Sequence, residues 1–158
     1  MDYTYDEETY PNCFTFCVMR SDGAHKNTFE VSSRKNEIHR VLACVDYLRK
    51  NNYRMVGFNN KGFDYPVLHK IIQSRDNLPK DGAVLANMIY NWAMEQIASA
   101  REGGFAHTIP ADEEYVKQID LFKIHHFDNK AKMTSLKMLE FNMREPNIED
   151  LPFPVGME

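Results

Sequence analysis

The chain has 158 residues, 43% apolar and 27% charged, the balance of one folded globular domain over 1–158. No apolar run approaches the ~20 residues of a membrane span, and the acidic start MDYTYDEETY is unlike a secretory signal, so the expected compartment is the cytoplasm. The net charge of −4 argues against coating duplex nucleic acid by phosphate neutralisation, and Cys13, Cys17 and Cys44 have neither the even count of a disulfide framework nor the CxxC spacing of a zinc site.

Residues 2–8 can form a strand, with Tyr3 and Tyr5 as its large side chains. After the Pro11-Asn12 turn, CFTFCVMR (13–20) is rich in aromatic and β-branched residues and predicts a second strand, in which Cys13 and Cys17 pack. Ser21-Asp22-Gly23 signals a turn and NTFEVS (27–32) a third strand, completing an antiparallel meander. Ser33 is the candidate N-cap of a helix over about 35–50, with Asn36 and Glu37 in its first turn. Ile38, Val41, Leu42, Val45 and Leu48 recur at three and four and form its buried stripe. RMVGF (54–58) reads as a buried strand.

After Asn59-Asn60-Lys61-Gly62 a second helix is expected from about 63–65, because Pro66 suits only a first helical turn. It carries Val67, Leu68, Ile71 and Ile72 inward. Residues 82–100 predict a third helix that Gly103-Gly104 ends, 116–122 a further strand, and 134–143 a short amphipathic helix. Pro146, Pro152 and Pro154 mark an irregular tail. A meander followed by strands alternating with helices implies an α/β fold, a mixed sheet with helices packed on it.

Charge is uneven along the chain. Residues 117–144 hold six Lys or Arg against three acids, and residues 145–158 hold four acids and no base. Lys130, Lys132 and Lys137 are candidate phosphate contacts, and solvated faces explain the same lysines equally well. The adjacent pair His125 and His126, with no Cys or third spaced His, does not make a zinc site.

The chemistry concentrates in two places. Asp6-Glu7-Glu8-Thr9 puts two carboxylates two residues apart on a strand, so Asp6 and Glu8 share a face and Glu7 points away. Two like charges so close need a proton or a cation between them, and hard Mg²⁺ or Mn²⁺ is the natural occupant. In GFNNKGFDYPVL (57–68) an apolar strand ends and Phe63-Asp64 opens a helix. That delivers a carboxylate to a strand's carboxyl end, and simple helix capping explains Asp64 as well.

Together these segments resemble the DEDD (DnaQ-like) exonucleases of the ribonuclease H-like superfamily. Asp6-Glu7-Glu8-Thr9 matches that family's DxE motif, and Asn60-Lys61-Gly62-Phe63-Asp64 its Asn-to-Asp motif, 56 residues from Glu8 to Asp64. Ile119-Asp120-Leu121-Phe122 with Thr134-Ser135-Leu136-Lys137-Met138-Leu139 is similar to a segment of polymerase exonuclease domains, and the wording is closest to bacteriophage polymerase-associated ones. The likeness covers about residues 3–155.

The resemblance implies a hydrolase trimming single-stranded DNA from its 3′ end, in a viral protein partnered with a DNA polymerase in the host cytoplasm. It implies two divalent ions about 4 Å apart. Asp6 would bridge both, Glu8 would bind the water-activating ion and orient the terminal nucleotide, and Asp64 would hold the second ion. Thr9, Asn60, Phe63 and Tyr65 would meet substrate, although a core role suits Phe63 at least as well. Asp120 would support the site and not ligate.

One departure matters. The family's fourth carboxylate belongs to a terminal Tyr-x3-Asp or His-x4/5-Asp helix, and no such helix is expected before Glu158. Glu149 and Asp150, in the Pro-rich tail, are poor substitutes. The expectation is a domain truncated before its last catalytic helix, binding metal weakly and hydrolysing DNA poorly. The alternative is a non-catalytic ribonuclease H-like module that binds single strands or a polymerase.

Overall fold

The computed structural model describes residues 1–101, 108–125 and 135–144. Two compact units result, Met1–Asp120 and Leu121–Glu158. The first unit opens with the meander: β1 (Asp2–Tyr10), β2 (Cys13–Arg20) and β3 (Lys26–Ser32). Helix α1 (Ile38–Lys50), β4 (Arg54–Gly57), α2 (Asp64–Gln73), a single 3-10 turn (Arg75–Asn77), α3 (Gly82–Arg101) and β5 (Lys117–Asp120) follow.

The five strands form one sheet in the order β3-β2-β1-β4-β5. Pairing is antiparallel from β1 to β3 and parallel from β1 through β4 to β5, so the α/β class and the mixed sheet of the sequence reading are present.

Alternation along the strands selects the inner face. Tyr5, Phe14, Phe16, Val18, Phe29, Val31 and Met55 are buried and share one core with Val41, Val45 and Leu48 of α1, Leu68 and Ile71 of α2, and Leu85 and Ile89 of α3. Burying each of the larger side chains contributes about 1.5–3 kcal/mol. The opposite face of β1 and β2 turns Thr4, Asp6, Glu8 and Met19 to the exterior.

Two boundaries differ from expectation. Ser33 does not cap α1, which begins only at Ile38. Residues 32–35 close a tight turn, Ser32 N–H to Lys35 O at 2.7 Å, and Asn36 bridges back to Val31, so the chain is still tied to β3 where the helix was expected to start. Glu37 stands at the N-cap and not in the first turn: its carboxylate accepts the Glu30 N–H at 3.1 Å and pairs with Lys35 and with Arg40 of the helix.

The strand expected over 116–122 ends at Asp120, and a five-residue helix, α4 (Leu121–His125), begins at once. Its partner β4 stops at Gly57, opposite Asp120, leaving nothing further to pair with. By contrast α3 is capped by Asp81, whose carboxylate accepts the N–H of Ala83 at 2.8 Å and of Val84 at 3.0 Å.

In the second unit, α5 (Leu136–Asn142) has Ser135 as N-cap, its hydroxyl accepting the Met138 N–H at 3.2 Å. Lys130, Lys132, His126, the Gly103-Gly104 stop, Glu149, Asp150 and the Pro-rich tail lie outside the described residues. Among the described residues, no helix is long and apolar enough to cross a membrane.

Candidate functional site

The site is built by the unequal lengths of two parallel strands. Strand β4 pairs with β1 only along Asp2–Thr4, while β1 continues to Tyr10 against β2. Beyond Gly57 the chain turns through Asn59, whose φ of 58° is left-handed, and enters α2 at Asp64. Asn is among the few non-glycine residues that adopt this conformation readily. Gly57 is required by closeness: a Cβ there would lie 2.7 Å from the Asn60 Cβ.

Asp120 holds this loop. Its carboxylate, 5% exposed, accepts the Asn59 N–H at 2.9 Å and the Lys61 N–H at 3.3 Å. Asn60 is 1% exposed and meets Gln118 at 2.9 Å. With its amide turned over, Asn60 would also accept the Tyr5 hydroxyl at 3.2 Å and donate to the Gly57 and Ile119 carbonyls at 3.3 Å each. The Lys61 ammonium is taken by Glu114 at 2.6 Å.

Acidic charges bear on Asp64 and Glu7 at this junction. Asp6 and Glu8 face outward from β1, and the Tyr10 hydroxyl donates to Glu8 at 3.2 Å. Burial raises the Asp6 carboxyl, and the Glu7 backbone N–H partly offsets this. Asp64, 9% exposed, is pushed up to about 7, by burial first and then by the charges of Asp6, Glu8 and Asp120. Glu7 is buried on the inner face and raised well above the usual range by burial, then by Asp64 and Asp6. The charges acting most strongly on Asp64 and Glu7 are thus all acidic.

The remaining predicted residues separate by depth. Thr9 is half-buried on β1, and Phe63, immediately before α2, packs partly against the core. Tyr65 is 1% exposed, its oxygen accepting the Tyr115 N–H at 2.7 Å. Asn60 and Tyr65 therefore face the interior in this structure, whereas Asp6 and Glu8 stay on the outward face of β1 and their charges act on Asp64.

Oxygen donors concentrated in this way match the chemistry of a hard divalent cation. A specific observation agrees: neither carboxylate oxygen of buried Glu7 has a hydrogen-bond partner among the described residues. As the side chains stand, no three His, Cys, Asp or Glu among the described residues are grouped tightly enough to enclose an ion. Mg²⁺ commonly takes only one or two carboxylates and keeps waters, so the donor set fits that mode of binding. A separate 400 Å³ recess between α2 and α3, lined by His69, Trp92 and Gln96 among others, has Glu95 as its one acid and is not the carboxylate site.

Sequence reasoning missed Glu7. The available signal was its parity with Tyr5, which placed a charged side chain on the face that the core had to cover. Compared with family models, curated proteins and solved structures, the chain gives no match.

Proposed function

We propose that this chain carries a metal-dependent 3′→5′ exonuclease site of the DEDD type on a ribonuclease H-like domain, acting on single-stranded DNA ends. The observation that supports it best is the burial of Asp64 at the first turn of α2, where the charges of Asp6 and Glu8, from a segment far away in sequence, act on it. The strand order, an antiparallel meander extended by two parallel strands, supports the fold reading.

Asp6, Glu8 and Asp64 would hold Mg²⁺ or Mn²⁺. Bound there, such ions would supply an activated water and charge neutralisation at the leaving oxygen. The chain's own contribution is arrangement. Asp6 and Glu8 stand on the outward face of β1, open to an approaching strand end. Asp120 fixes the Asn59–Lys61 loop and so the start of α2, which carries Asp64. Asn60 and Tyr65 work from inside, shaping the loop and helix start, and Thr9 and Phe63 are half-buried.

The test is digestion of a 5′-labelled single strand by the full chain at high protein concentration with Mn²⁺. Stepwise shortening from the 3′ end is expected, with a circular strand left intact and no shortening by Asp64→Asn. Cutting of the circle, or undiminished digestion by Asp64→Asn, would overturn the proposal. Among the described residues no three acids are grouped tightly enough to enclose an ion, which favours as second reading a module that binds strands without cleaving them. Retention of the labelled strand with no shortening would select it.

A further inference from the structure

Glu7 occupies a position that the exonuclease reading leaves without a task. It sits between Asp6 and Glu8 on β1, opposite Phe16 of β2, on the face that α1, α2 and α3 help to bury. Only 5% of it is exposed, and both carboxylate oxygens lack a hydrogen-bond partner among the described residues. Charged side chains are almost never buried so completely without a partner. The Tyr5 hydroxyl, on the same face of β1, is otherwise engaged, donating to Gln118 at 3.0 Å.

The strongest charge acting on Glu7 is another carboxylate, Asp64, which is itself nine-tenths buried at the first turn of α2. A like charge acting on a buried acid raises its free energy unless positive charge offsets it. Lys61, in the loop before α2, is already paired with Glu114.

We propose that Glu7 is a cation ligand, closing with Asp64 a site for a hard divalent ion on the inner face of β1. The inference rests on the reading that this cluster binds metal, and adds to it a ligand from the opposite face of the strand. Strand alternation makes this possible. Asp6 and Glu8 reach outward and Glu7 inward with Tyr5, whose hydroxyl shares Gln118 with Asn60 at the entry to the helix that Asp64 opens. Two carboxylates with waters or carbonyl oxygens suffice for Mg²⁺ or Mn²⁺.

The experiment is Mn²⁺ binding by the full chain, read as loss of the free-ion signal in electron paramagnetic resonance and as the rise in melting temperature on adding Mn²⁺. Wild type is expected to take up Mn²⁺ and to be stabilised by it. Glu7→Gln, similar in shape and uncharged, should weaken uptake by about tenfold or more and remove most of the stabilisation. Because an amide could disturb the core, Glu7→Leu is measured too. It should be no less stable than wild type without metal, since an unpartnered buried acid is replaced by an apolar side chain, yet it should show the same loss of Mn²⁺ response.

Uptake by Glu7→Gln or Glu7→Leu equal to wild type overturns the inference, as does absence of uptake by wild type. The exonuclease reading fails separately. If Asp64→Asn abolishes strand shortening while Glu7→Gln binds Mn²⁺ normally, that reading stands and the Glu7 ligand falls. Loss of uptake in both Glu7 variants with no shortening by wild type leaves a cation site and removes the nuclease.

Discussion

Replacing Asp120 by Ala should loosen the loop that presents Asp64. Two backbone donors, Asn59 N–H at 2.9 Å and Lys61 N–H at 3.3 Å, would lose a charged acceptor that is only 5% exposed. A hydrogen bond to a charged group contributes about 1.5–3 kcal/mol, and the longer bond counts at the low end or below it. An opposing effect is relief of repulsion, because Asp120 is one of the charges that raise Asp64. It is the last of them in size, so the lost hydrogen bonds dominate and the net expectation is a destabilisation of about 2–4 kcal/mol. In urea, with a slope of about 2 kcal/mol/M for a protein of this size, the midpoint should fall by roughly 1–2 M. Asp120→Asn keeps one acceptor oxygen for Asn59 and should lie between the two. Mn²⁺ uptake by either variant should fall in step with stability. A midpoint shift under about 0.25 M for Asp120→Ala would refute the view that this side chain holds the loop.

Three further outcomes are expected. Gly57→Ala would force a Cβ to within 2.7 Å of Asn60 Cβ and 3.0 Å of its Cγ, costing about 1–3 kcal/mol by urea denaturation; wild-type stability would mean that the Asn60 loop yields freely. Asp64 is raised to about 7 from an ordinary 3.8, so its contribution is present below the lower value and is lost as pH rises through about 7. Asp64→Asn should therefore melt no lower than wild type at about pH 8 without metal, and a lower melting temperature there would contradict the burial of this acid. Glu30 and Glu37 are each held down to about 2, Glu30 by Arg34 and then Ser32, Glu37 by Lys35 first. Their contribution is present above the usual 4.5 and fades as pH falls through about 2, so the double change to Gln should flatten an acid-unfolding curve in that window.

Much of the first unit was legible locally. Aromatic and β-branched runs marked β2 and β3, spacing of three and four marked α1, and Pro66 limited where α2 could start. Strand parity alone separated Asp6 and Glu8 from Glu7, because alternate side chains on a strand must take opposite faces. The start of α1 was not legible, since the tie between Asn36 and Val31 is a tertiary bridge that competes with a good local cap. The end of β5 was equally hidden, because a strand lasts only as long as its partner, and β4 stops at Gly57.

The candidate site divides along the same line. Sequence by itself determined which carboxylates a β-strand and a helix start can offer, for those depend on covalent order and local periodicity. Only the tertiary structure decided their surroundings. It left the carboxyl half of β1 unpaired by β4, buried Asp64 at the start of α2, turned Asn60 and Tyr65 inward, and gave Asp120 to the loop it supports. It also sealed Glu7 inside without a hydrogen-bond partner among the described residues. The physical reason is that the free energy of a charge depends on the solvent and partners around it, and these are supplied by segments more than 50 residues away.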